Sequence, residues 1–131
     1  MIKKLIYKIV YKFIWKKKNK NNFTIPMKNV SATDLNLLKK NNIVIGKGTY
    51  GMINFRSFGC EKEKLIIGNW CSISSNSVFM LGGNHIYDRI STYPFELIFN
   101  EKLISAETKG PIIVDDDVWI GDNSIILSGV H

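Results

Sequence analysis

The chain has 131 residues, 45% of them hydrophobic, enough for the core of one domain and no more. Its formal charge of +7 suggests nucleic acid only until it is located: residues 1–20 carry eight lysines and no acid, leaving ten basic against eleven acidic side chains over 21–131. The charge is a short arm and not a face of a domain, which removes nucleic acid as a partner, and two cysteines are too few for a disulfide scaffold, so a reducing cytoplasm is the expected home.

Residues 1–18 read MIKKLIYKIVYKFIWKKK, with no apolar run longer than three, which fits neither a membrane span nor a signal-peptide core. Drawn as a helix, Lys4, Lys8, Lys12 and Lys16 form one i+4 stripe with Ile2, Ile6, Ile9 and Phe13 opposite. Two readings stay open. The helix lies on an anionic membrane at its inner face, or it docks its apolar side on the end of the fold as a cap; outward lysines reconcile them. Residues 19–23 are polar and turn-prone, a short linker. Thr33 is then an acceptable N-cap for a short helix carrying Leu35, Leu37 and Leu38. Residues 1–40 thus form a basic amphipathic helix with a linker and short helix, ahead of a second unit over 41–131.

In that unit an aliphatic or aromatic residue returns every sixth position, at Ile67, Ile73 and Phe79 and again at Val114, Ile120 and Ile126. A period of six fits neither a helix nor simple strand alternation and marks an internal repeat. Six residues make one side of a three-sided coil of short parallel strands, each coil hiding its apolar surface against the next. Glycine follows the inward residue in Ile45-Gly46, Ile67-Gly68 and Ile120-Gly121, where a tight turn is expected. Coils are predicted over 43–58, 64–81 and 112–131, the minimum for a stable stack. Cys71 falls inside a repeat block as a small buried apolar residue. The phase places the next inward residue at 132, so the chain closes within a side, as an incomplete coil with an open parallel edge.

From Met80 to Pro111 the phase disappears and Gly, Asn, Tyr and Pro take over. An excursion of this length in a compact domain usually serves a site. His85 stands at its root after Gly82-Gly83-Asn84, and histidine is the side chain able to take and return a proton near neutrality.

Three segments in this order, Leu65 to Ile73, Gly83-Asn84-His85 with Ser91 to Phe95, and Val118-Trp119-Ile120-Gly121-Asp122, resemble the hexapeptide-repeat acyltransferases over about residues 43 to 131. Within them the likeness is to the branch of xenobiotic and polysaccharide O-acetyltransferases. The resemblance implies an all-β fold, a left-handed parallel β-helix of about three coils with a protruding active-site loop, the N-terminal helix preceding it. It also implies acetyl-CoA as co-substrate, no metal, and a homotrimer in which the base of one subunit faces cofactor held between two.

His85 is implied as the general base that deprotonates an acceptor hydroxyl, a step worth roughly 10² to 10⁴ in rate. Asn84, Asp88 and Tyr93 are candidates for the acceptor side, although Asp88 also reads as a solvated loop acid and Tyr93, with Phe95, as packing for the excursion. For the cofactor the resemblance nominates Trp119, Gly121 and Asp122, the last through its backbone amide; Trp119 reads equally as a corner residue outside the prism. Asp115, Asp116 and Asp117 have no phased histidines to complete a metal site. The leading expectation is O-acetylation of a sugar or glycan hydroxyl. Acetylation of a dissolved antibiotic is the alternative, and a non-catalytic β-helix scaffold is the second class.

Overall fold

The structure is a computed structural model that describes residues 2–27, 31–99 and 107–131. Helix α1 (Ile2–Lys18), strand β1 (Phe23–Pro26) and helix α2 (Ala32–Lys39) precede the coils. The first coil holds β2 (Ile43–Ile45), β3 (Tyr50–Ile53) and β4 (Phe55–Arg56). The second holds β5 (Leu65–Ile67), β6 (Ser72–Ile73) and β7 (Val78–Met80). Helix α3 (Phe95–Phe99) belongs to the excursion, and β8 (Ile112–Val114), β9 (Trp119–Ile120) and β10 (Ile125–Leu127) make the third coil.

Every pairing between these strands is parallel, in three sheets of order β2-β5-β8, β1-β3-β6-β9 and β4-β7-β10. The chain is a left-handed parallel β-helix of about three coils. The six-residue phase becomes three inward columns: Ile45 over Ile67 over Val114, Ile73 over Ile120, and Phe55 over Phe79 over Ile126. Ile67, Ile73 and Phe79 in the middle coil are buried, whereas Val114 and Ile126 are only partly so. Cys71 is fully buried in the same core, as the repeat predicted.

The glycines do a different job from the one the sequence suggests. The left-handed residue that makes the turn falls two positions later, at Gly48 (φ 73°), Trp70 (φ 61°) and Asn123 (φ 58°). Gly46 and Gly68 are demanded instead by the coil stacked beside them. A Cβ on Gly46 would lie 2.4 Å from the Gly68 carbonyl carbon, and one on Gly68 would lie 2.6 Å from that of Asp115. Side chains bridge the same corner: Lys47 N–H donates to Asn69 Oδ1 at 2.8 Å and Asn69 N–H to Asp116 Oδ1 at 2.7 Å. At the next corner Asp122 accepts from Ser74 and Asn76.

Helix α1 docks, but not through the face the lysine stripe implies. Tyr11 and Trp15 are 0% and 2% exposed, stacked at 5.7 Å, with Tyr7, Val10 and Ile14 packed around them. Ile6, Ile9 and Phe13, expected on the buried side, are exposed, and the Ile2 side chain lies outside what is described. The helix anchors through two large aromatic residues that bury more area than the aliphatics would. Among the described residues the Tyr11 hydroxyl has no hydrogen-bond partner, and its burial, with the Asp34 carboxylate adding to it, holds the phenol well above its ordinary pKa.

Helix α2 is capped by Ser31 and not Thr33. Ser31 Oγ accepts from the Asp34 amide and Asp34 accepts from the Ser31 amide, a reciprocal capping box. Within the expected linker, Phe23 already opens β1, which extends the sheet of β3 and so joins the segment before residue 41 to the coils.

Two measurements test the stacking. Gly68→Ala should destabilise by about 1–3 kcal/mol because backbone must shift, whereas Gly121→Ala, whose Cβ would meet nothing within 4 Å, should leave the melting temperature nearly unchanged. Equal effects would mean that the stack does not set the glycine requirement. Hydrogen bonds from Asn69 and from Ser74 and Asn76 lower the carboxyls of Asp116 and Asp122 below the ordinary 3.8. A depressed folded value contributes stability that is complete above the unfolded value and is lost as pH falls through the folded one. Melting temperature should therefore fall below about pH 4, and less steeply in the double variant Asp116→Asn, Asp122→Asn.

Candidate active site

After β7 the chain leaves the coil at the corner between the β4-β7-β10 sheet and the β2-β5-β8 sheet. It is clamped as it leaves. Asn84 and Glu107 exchange both backbone hydrogen bonds, at 3.1 and 3.0 Å. The Asn84 amide nitrogen donates to Ser128 Oγ at 2.9 Å and reaches the Glu107 carbonyl at 3.2 Å. Thr108 Oγ1 donates to the Leu81 carbonyl at 2.6 Å. Asn84 thus closes the neck of the excursion, and His85 is the first side chain beyond it.

Sequence reasoning missed the support beneath this neck. Glu63 is fully buried, accepting from Phe58 N–H at 2.7 Å and from Ser57 Oγ at 2.5 Å. The Phe58 ring so held stands against Gly83, where a Cβ would come within 2.7 Å of it. Gly83 has a φ of 87°, a left-handed conformation that glycine adopts freely. The signal was invisible because Glu61-Lys62-Glu63-Lys64 reads as an alternating solvated surface.

His85 is exposed, and its Nδ1 lies 2.8 Å from the carbonyl oxygen of Thr92. A carbonyl can only accept, so Nδ1 carries the proton, and in the neutral ring it is Nε2 that keeps the lone pair. This is the tautomer a general base needs. The Ser91–Phe95 motif accounts for the geometry: Ser91 Oγ accepts from Tyr93 N–H at 3.1 Å and Phe95 N–H bonds the Tyr93 carbonyl at 2.8 Å. That turn carries Thr92 back against the imidazole. Around it, His85, Ile86, Arg89, Thr92, Tyr93 and Pro94 frame a dent of only about 10 Å³, about what one water needs.

The other expected site residues are not gathered there. Asp88 is exposed on the loop. Tyr93 is largely exposed and packs on Phe95, ring centroids 4.7 Å apart. Trp119 is 82% exposed, outside the prism, and Gly121 faces open space. The Asp122 carboxylate is committed to Ser74 and Asn76, so only its backbone is left for a ligand. Trp119 to Asp122 lie on β9 and the corner that follows it, and the side containing β10 separates that corner from the neck of the excursion. Six residues at the strand rise make the gap roughly 20 Å. One chain therefore does not bring His85 and Asp122 together.

Asp115 to Asp117 divide into separate tasks. Asp116 caps the Asn69 turn, Asp117 takes the left-handed turn position (φ 61°), and Asp115 lies 3.5 Å from His131 Nε2. Among the described residues, His, Cys, Asp and Glu form no group of three able to hold a metal. Among the same residues no helix is long and apolar enough to cross a membrane. A hollow of about 1210 Å³ lies between α1 and β1, away from the imidazole.

No protein-family model matches the chain. It is 32% identical over 129 residues to a chloramphenicol acetyltransferase of Escherichia coli, covering 84% of this chain and 60% of that protein. It is 32% identical over 130 residues to a chloramphenicol acetyltransferase of Morganella morganii, covering 85% and 61%. A probable macrolide acetyltransferase of Lysinibacillus sphaericus is 37% identical over 75 residues, covering 52% and 42%. The chain thus spans about 60% of the length of the first two. These matches overturn the expectation of a sugar or glycan acceptor, and with it the polysaccharide branch of the resemblance. The motifs around His85 and Trp119 are common to both branches of the resemblance, so they could not separate the two. The relatives of this chain are acetyltransferases, and those matched over most of its length are named for chloramphenicol.

Proposed function

We propose that this chain carries the base-bearing half of an acetyl-CoA-dependent O-acetyltransferase site that acts on the hydroxyl of a small dissolved acceptor of the chloramphenicol type. The observation that carries the reading is the hydrogen bond from His85 Nδ1 to the Thr92 carbonyl. It fixes Nε2 as the basic atom, and the exposure of the ring lets a hydroxyl approach it. Acetyl-CoA supplies an activated acyl carbon as a thioester. Nε2 accepts the hydroxyl proton as the acceptor oxygen attacks and returns it to the departing sulfur. The Thr92 carbonyl steadies the transient imidazolium through the Nδ1 proton, as an orienting acceptor does for any histidine base. The open corner around Trp119 and Gly121 fits an extended ligand laid along it, with the Asp122 backbone the candidate donor to the thioester oxygen.

The separation of His85 from that corner, the small dent at the imidazole and the exposed Tyr87, Ile90 and Phe99 of the excursion all favour a homotrimer. In a ring of three, the excursion of one subunit reaches the Trp119 corner of the next, and the site is complete only between copies.

His85→Ala should lower chloramphenicol acetylation by about 10²- to 10⁴-fold with an unchanged melting temperature, since the side chain makes no buried contact. Unaltered turnover in that variant removes His85 from the reaction. Light scattering should give three times the mass of the chain. A monomer that still acetylates chloramphenicol at the wild-type rate would refute a site shared between subunits.

A further inference from the structure

Helix α1 is apolar on two opposite sides. One side, Tyr7, Tyr11, Ile14 and Trp15, is spent on the core. At 3.6 residues per turn Leu5, Ile9 and Phe13 line up on the other side with Ile6 beside them, and these four are 59, 60, 72 and 51% exposed. Lys8, Lys12 and Lys16 flank this outer stripe on one edge and Lys17 on the other, all exposed. A soluble amphipathic helix turns one apolar side inward and a polar side out; this one docks its inner side and still presents a second. Alongside it runs the hollow of about 1210 Å³, lined by the five lysines Lys8, Lys12, Lys16, Lys17 and Lys20 and edged by Phe13 and Ile25.

Charge selects the occupant. A second copy on this face would set one cluster of eight lysines without an acid against another, and like charges of that density repel. The partner must offer negative charge around an apolar interior. We propose that the outer face of α1 lies on an anionic phospholipid bilayer, with Leu5, Ile6, Ile9 and Phe13 inserted at the acyl boundary and the flanking lysines on the headgroups. The inference does not depend on the acetyltransferase reading.

Sedimentation of the full chain with vesicles tests it. Three parts phosphatidylcholine to one part phosphatidylserine should carry the chain down, and pure phosphatidylcholine should not. Raising salt from about 0.1 to about 0.5 M should weaken binding severalfold by screening. The double variant Ile9→Asp, Phe13→Asp should lose at least tenfold in partitioning with an unchanged melting temperature, because both side chains are exposed. Lys8→Glu with Lys12→Glu should do the same. Equal binding to both vesicle types, or none to either, overturns the proposal. So does retention on polyglutamate that the Ile9 and Phe13 changes leave intact, which would assign the lysines to an acidic protein. Chloramphenicol acetylation by the Ile9 and Phe13 variant should match the wild type, separating this result from any failure of the His85 assignment.

Discussion

The structure depends on one constraint: each coil lies in register on the next at the spacing of parallel strands, about 4.8 Å. A coil whose strands are two to four residues long cannot hide its own aliphatic residue. Ile67 is buried because Ile45 and Val114 lie above and below it, and Phe79 because Phe55 and Ile126 do. The same closeness leaves no volume at Gly46 and Gly68 and lets Lys47, Asn69 and Asp116 relay hydrogen bonds from corner to corner. Where no described coil follows, burial of Val114 and Ile126 weakens and Gly121 faces open space. The glycine requirement is thus a measure of stacking and not of turning.

That regularity also explains where chemistry can be placed. A side chain inside the prism is sealed and one on a flat side is shared with a sheet, so a base must be carried out on a loop. Leaving the stack exposes backbone, and the excursion answers with paired bonds between Asn84 and Glu107 and the buried Glu63 beneath Ser57 and Phe58. With its neck fixed, the loop folds back and meets the imidazole with a carbonyl, which decides which ring nitrogen is basic. The cost of this solution is distance. His85 and the Trp119 corner sit at opposite ends of one side, so the two proposed half-sites are kept apart on a single prism.

Much of this could be read from the chain. The middle coil was legible because Ile67, Ile73 and Phe79 are inward at a strict interval and each has neighbours on both sides. The first strand was not, since Phe23 and Ile25 point to solvent and Pro26 ends the run, leaving no apolar pattern for Phe-Thr-Ile-Pro to show. Ser31 was overlooked for Thr33 although Ser-x-x-Asp is the stronger capping signature. His85 stood out by its motif, but its tautomer could not, because the partner is a backbone oxygen seven residues away. Glu63 was hidden by its composition: a glutamate between lysines is almost always solvated, and only the fold around Ser57 and Phe58 makes it interior.

The lysine stripe of α1 misled in an instructive way. Searching for the side opposite the charges finds Ile6, Ile9 and Phe13, yet the core takes Tyr11 and Trp15, which lie between the lysines on a helical wheel. Aromatic side chains win because each contributes a large area for little conformational entropy, and Trp15 also finds a carbonyl, that of Thr24, for its indole N–H. Capping and surface contact are therefore not rivals for one apolar side. Because the inner side packs on α2 and on the core that continues into the coils, whatever occupies the outer side also bears on the direction of the prism axis. Contact at α1 would then constrain which way the excursion bearing His85 projects, linking the two ends of the chain through the stiffness of the stack between them.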